Sequence, residues 1–176
     1  MKSDAITIDN KGAGFREAVE ETKKVAAFRG LNHQDSIQLQ LLTEEMLSMA
    51  RSVTGEMCAT FWLESEGPQF DLHMTTKTVM DAEKRRQLIS ASSSRKNDAA
   101  TSFLGKLRDI FEEALVSEVD YSYNEIPADI QADLANHPIA DTEWDGYEKS
   151  ILRRVADDIK IAIRGGEVEM IVSKKF

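Results

Sequence analysis

A chain of 176 residues, 41% hydrophobic and 30% charged, has the length and composition of one soluble globular domain with a single core, which excludes a disordered or fibrous protein. The 31 acidic side chains against 22 basic ones give a formal charge of −9, which excludes a broad phosphate-backbone footprint and with it nucleic acid as an expected partner. No apolar run reaches the roughly 18 residues of a membrane span, residues 1–10 lack the apolar core of a signal peptide, and the one cysteine, Cys58, has no partner for an internal disulfide, so a cytoplasmic protein is expected.

Residues 5–8 alternate apolar and polar side chains before a turn cluster at 9–12, the pattern of a short first strand. Residues 14–29 read as a helix with Phe15, Val19, Val25 or Ala26, and Phe28 on one side, stopped by Gly30. Asn32, or Gln34 to Asp35, caps a second helix that runs to about Val53, with Gly55 just past its end. The short link predicts an antiparallel helix pair. In the second helix Leu42, Met46, Met49 and Val53 make one side apolar. The neighbouring face, with Ile37, Leu41, Glu44 or Glu45, Ser48 and Ser52, carries carboxylates and hydroxyls and is the face expected to look into a pocket.

From residue 56 the period changes to two. Met57, Ala59, Phe61 and Leu63 alternate with Cys58, Thr60 and Trp62, residues 65–69 turn the chain, and Phe70, Leu72, Met74 and Thr76 alternate with Asp71, His73 and Thr75. This predicts a hairpin with one polar, solvent-facing side and a buried, inert Cys58 thiol. Residues 81–89 look helical, and residues 91–98 (ASSSRKND) are expected to be a flexible loop suited to a lid. Helix resumes from about Ala99 with a stripe of Phe103, Leu107, Ile110, Phe111, Ala114 and Leu115. Gly105 inside it costs roughly 1 kcal/mol against alanine and suggests a close approach to the backbone. Residues 116–123 are a short strand or extended exit, and residues 124–142, with Pro127 and Pro138, an excursion around a helical turn at 128–134. Trp144, Tyr147, Ile151, Val155, Ile159 and Ala162 follow helical spacing and predict a long last helix, ended by Gly165 and Gly166. Residues 167–175 alternate as a terminal strand with Val168, Met170 and Val172 inward.

The histidines, His33, His73 and His137, are scattered, and the sequence contains no HExxH, CxxC, GxSxG, GxxxxGK[ST] or GxGxxG, so no metal site and none of those chemistries is expected. Glu44 and Glu45 have two readings, a solvated helix face beside Arg51 or, for Glu44, a base or metal-shell group turned into a pocket. Ser92 to Asn97 likewise read either as a surface loop or as hydroxyls, amides and two cations for phosphate oxygens.

The order of strand, two helices with an ExxxS in the second, hairpin, helix, polar loop, glycine-bearing helix and final strand resembles the histidine-kinase-like ATPase superfamily, and within it the bacterial anti-sigma-factor serine kinases. The resemblance covers residues 5–115 and 167–175. It implies a two-layer α/β sandwich, a mixed, mainly antiparallel sheet with helices on one face, and ATP with magnesium under a lid. The family's first box would fall on Thr43, Glu44 and Ser48, with serine where a magnesium-binding asparagine belongs. Its adenine-binding DxGxG would fall on residues 76–80, where Thr76 to Met80, with Thr78 at its centre, lack the aspartate and both glycines. The lid would supply Ser94, Arg95, Lys96 and Asn97, and the glycine-rich phosphate box would keep only Gly105. With two ligands missing, the resemblance implies a single domain, residues 1–176, with a degenerate nucleotide site, Glu44 as a candidate base, and an insertion at 124–164 for a protein partner or a homodimer contact. The alternative is an active kinase or ATPase built on those same residues.

Overall fold

The computed structural model describes residues 1–9, 13–55, 58–100 and 151–176. In chain order these form β1 (Ile6–Ile8), α1 (Phe15–Phe28), α2 (His33–Thr54), β2 (Ala59–Glu66), β3 (Gln69–Lys77), α3 (Ala82–Ala91), a 3-10 turn (Asp98–Ala100), β4 (Asp158–Arg164) and β5 (Glu167–Lys175). The strands make one sheet in the order β1-β2-β3-β5-β4, and all four pairings are antiparallel, where a mixed sheet was expected. Gly105, most of the expected insertion and the elements expected between 101 and 150 lie outside the described residues.

The period of two decides which side of the sheet is covered. Phe61 and Leu63 of β2, Phe70, Leu72 and Met74 of β3, Val168, Met170 and Val172 of β5, and Ile159, Ile161 and Ile163 of β4 are all buried in one core with the helices. Fully burying each such side chain contributes roughly 1.5–3 kcal/mol. The expected apolar side of α2 is in that core, with Leu42, Met46, Met49 and Val53 joined by Leu39, Leu47 and Ala50. Asn32 caps the helix by accepting from the Asp35 amide at 3.0 Å.

On α1 the buried stripe is Ala18, Thr22, Val25 and Ala26, whereas Phe28, expected inside, is 76% exposed. Small side chains win this face because α1 lies close against α2, where Thr22 and Thr43 meet in the interior with hydroxyl oxygens 3.0 Å apart. Each hydroxyl also lies in reach of its own helix, at the Ala18 and Leu39 carbonyls. Two protons serve three contacts, so the pair is satisfied while one contact at a time goes without a proton. Cys58, expected buried, is exposed just ahead of β2.

The long last helix ends early. Residues 151–155 are helical, but β4 follows, because Ile159, Ile161 and Ile163 alternate with Lys160, Ala162 and Arg164 and bury only if extended. A two-residue turn at Gly165 (φ 60°) and Gly166 folds β4 onto β5. Gly166 has a second reason to be glycine, since a Cβ there would stand 2.6 Å from the Thr78 carbonyl oxygen.

The loop expected to be a lid is a strap on β4. Ile159 exchanges both backbone bonds with Ser93, its amide donating to Oγ and its carbonyl accepting from the Ser93 amide, each at 2.8 Å. The Ile161 amide donates to Asp98 at 2.9 Å. Asn97, itself buried, accepts from the Ile163 amide at 2.8 Å and donates to the Ile163 carbonyl at 2.9 Å. The short polar residues that read as flexible in isolation are thus the partners of an edge strand's backbone. Replacing Asn97→Ala strands two backbone groups of Ile163 and is expected to cost about 2 kcal/mol in urea unfolding. The Ile163 amide should also exchange hydrogen faster in that variant. Unchanged stability and unchanged exchange would show that the strap carries no load.

Candidate functional site

Glu44 is exposed on α2 and Ser48, one turn on, is half-buried, so the two share a face as their spacing predicts. Thr76 is buried at the end of β3, where its hydroxyl donates to the Cys58 carbonyl at 3.3 Å. Thr78 follows, half-buried, with its amide donating to the Gly166 carbonyl at 2.8 Å. Ser94 is exposed and accepts from the Lys96 amide at 3.2 Å, Arg95 is exposed with a positive φ of 54°, and Lys96 is exposed.

Thr76, Val168 and Ile163 are register partners across β3, β5 and β4, and Asn97 continues that row beyond β4. Three strand spacings separate β3 from Asn97, roughly 14 Å. The structure therefore brings Thr76 and Asn97 into one row and Glu44 and Ser48 onto one helix face. The Asn97 amide is engaged at both ends and the Thr76 proton at the sheet, so neither points a free polar group at a ligand. Among the described residues, no cluster of three or more His, Cys, Asp or Glu side chains could hold a metal ion.

A second grouping was not singled out by sequence. On the face of the sheet opposite the helix-covered core Trp62 of β2 stands across from His73 of β3, and their rings stack with centroids 4.9 Å apart and planes 7° from parallel. The Lys2 ammonium lies 4.8 Å from the centroid of the Trp62 ring and 2.9 Å from Glu64 Oε1. The Trp62 Nε1–H donates to that same Oε1 at 3.0 Å. These donors hold the Glu64 carboxyl below its usual 4.5, the Lys2 bond first and the Trp62 bond second. The available signal was the alternation itself, which puts Trp62 and Glu64 on the polar side already assigned to His73.

His73 is constrained differently. Its Nδ1 is buried with no hydrogen-bond partner among the described residues, and its Nε2 lies 4.0 Å from Glu64. Burial pushes its pKa below the ordinary 6.5, against the opposing pull of Glu64, Asp71 and Glu169. What the grouping can do chemically is hold a cation, with an indole face and a carboxylate edge converging on one ammonium.

No protein-family model matches the chain, and no curated protein matches it.

A lowered His73 pKa means that the unfolded chain takes up this proton first, so its contribution is intact above pH 6.5 and is lost as pH falls through 6.5 toward the lower folded value. Glu64 acts in a separate window, because a lowered carboxyl contributes above 4.5 and loses that contribution only at more acid pH. Between about pH 7.5 and about pH 5.5 the wild type should therefore lose thermal stability that a His73→Phe variant keeps. Parallel Tm profiles for the two proteins would rule out His73 as the titrating group.

Proposed function

We propose that the chain is a cytoplasmic regulatory domain that keeps the sandwich of a histidine-kinase-like ATPase, has a degenerate nucleotide site, and acts by holding a protein partner. The order of β1, the α1–α2 pair, the β2–β3 hairpin, α3 and the polar loop is the order that the resemblance requires. The all-antiparallel sheet departs from it, as does the β4–β5 hairpin in place of one final strand. The observation that carries the loss of the nucleotide site is the strap. A lid must open and close over its ligand, and here Ser93, Asn97 and Asp98 are committed to the backbone of β4. The candidate base supports the same reading, since Glu44 is exposed to water rather than enclosed with a substrate.

Titration calorimetry with ATP and magnesium, repeated with ADP, tests this reading. No heat and no thermal stabilisation at millimolar nucleotide is the expected result. Binding at micromolar strength, about −8 kcal/mol, would overturn it. If that binding weakened in Glu44→Ala or Lys96→Ala, it would establish the active kinase or ATPase instead.

A further inference from the structure

The first residues of the chain pair with β2 in two separate pieces. Ile6 is the register partner of Phe61, whereas Lys2 is that of Glu64, so one extra residue intervenes between the two pieces, a bulge at the exposed Asp4 and Ala5. Beyond the bulge the pairing is a single bridge, Lys2 to Glu64, flanked by hydrogen bonds on either side. The Ser65 amide donates to the Met1 carbonyl at 2.8 Å, the Ser3 amide to the Leu63 carbonyl at 2.8 Å, and the Leu63 amide to Ser3 Oγ at 2.9 Å. Residues 1–3 thus lie along the edge of β2 through an isolated bridge, with Lys2 reaching Trp62 and Glu64 on the face opposite the core.

We propose that this edge of β2, with the Trp62 ring and the Glu64 carboxylate, is the docking site for an extended basic segment of a protein partner, whose arginine or lysine takes the place of Lys2. Three observations support the occupant's chemistry. The site already holds an ammonium against an indole and a carboxylate. The carboxylates acting on His73 are Glu64, Asp71 and Glu169, and the Lys2 ammonium opposes them, so displacing Lys2 leaves those carboxylates beside the stacked rings. Those carboxylates repel phosphate and favour a cationic occupant at this position. The resident group is also exposed, with 60% of the Lys2 side chain in solvent and no apolar side chain of residues 1–3 in the core, and beyond Lys2 the segment is held by edge hydrogen bonds that include the Met1 ammonium to the Ser65 carbonyl at 2.7 Å. An arginine fits better than the resident lysine, since its planar guanidinium can stack on the indole while donating two hydrogen bonds to one carboxylate.

Residues 1–3 then act as a competitor in cis, present at an effective concentration that any partner must beat. This proposal deepens the partner-binding reading and rests on it, but the two fail separately, because nucleotide titration tests the reading and the following peptide titration tests the site.

The probe is a capped, fluorescein-labelled hexapeptide of alternating arginine and threonine, titrated by anisotropy into the full-length protein at low salt. Saturable binding is expected, tightened about threefold or more by Lys2→Ala and weakened about tenfold by Glu64→Gln. The peptide with glutamate in place of arginine should not bind. Thermal unfolding of each variant checks that both remain folded, and both substitutions fall on exposed or half-exposed side chains. Absence of binding to wild type and to Lys2→Ala overturns the proposal, as does equal binding to wild type and Glu64→Gln. Self-association of Lys2→Ala without peptide binding overturns it in favour of a second copy as the occupant.

Discussion

An edge strand leaves every second amide and carbonyl pointing away from its sheet, and at β4 those positions are Ile159, Ile161 and Ile163, whose side chains are buried. Sliding the strand by one residue to reach other partners would turn all three isoleucines to water. The backbone groups must therefore be met where they stand. Ser93 meets both groups of Ile159, Asn97 both groups of Ile163, and Asp98 the Ile161 amide, doing largely with short side chains what a sixth strand would do with main chain. The pairing joins residues 63–66 positions apart, so it closes the second half of the chain onto the first. Among the described strands β4 pairs with β5 alone, so the strap is what meets its other edge.

The same commitment bears on function. A phosphate-binding loop keeps amides, hydroxyls and cations free and convergent. In residues 92–98 the hydroxyl of Ser93 and the amide of Asn97 are spent on β4, Ser94 Oγ accepts within its own turn, and the exposed cations Arg95 and Lys96 extend into solvent. Composition alone made this segment look like a lid, because serine, asparagine and aspartate bond backbone equally well in a mobile loop and along a strand edge.

What was legible in the sequence follows from periodicity. The hairpin of β2 and β3, the inward residues of β5 and the core face of α2 all stand in strict alternation or in steps of three and four, and the structure places them as expected. The last helix misled because Ile151, Val155 and Ile159 lie four apart, while Ile159, Ile161 and Ile163 also lie two apart. Tertiary pairing chose the second pattern, and the β-branched run with a glycine pair after it was the local signal for that outcome. Phe28 misled because the α1–α2 contact selected small residues, Ala18, Thr22 and Ala26, which no hydrophobic pattern favours over a phenylalanine. The candidate nucleotide residues were chosen by their place in an element order, and their hydrogen-bond partners lie up to 66 positions away, beyond any local reading. Trp62 and Glu64 were legible as a face but not as a grouping, since the third member, Lys2, arrives from 60 residues upstream.

The N-terminal pairing divides into a fixed and a loose part for a reason visible at Gly14. This residue caps α1 with φ 84°, and a Cβ on it would stand 2.1 Å from the Thr7 carbonyl oxygen, so α1 starts against the backbone of β1 with no side chain between. Ile6 and Ile8 are buried on the covered face at the same place. Residues 6–8 are therefore locked by both the sheet and the helix layer. The bulge at Asp4 and Ala5 separates them from residues 1–3, which have the sheet edge alone. Lifting residues 1–3 away would cost their few edge hydrogen bonds and one exposed ion pair, each modest in water, while leaving β1, α1 and the core undisturbed. One edge of the sheet is thus closed by a strap that the core depends on, and the other by a segment that the core can release.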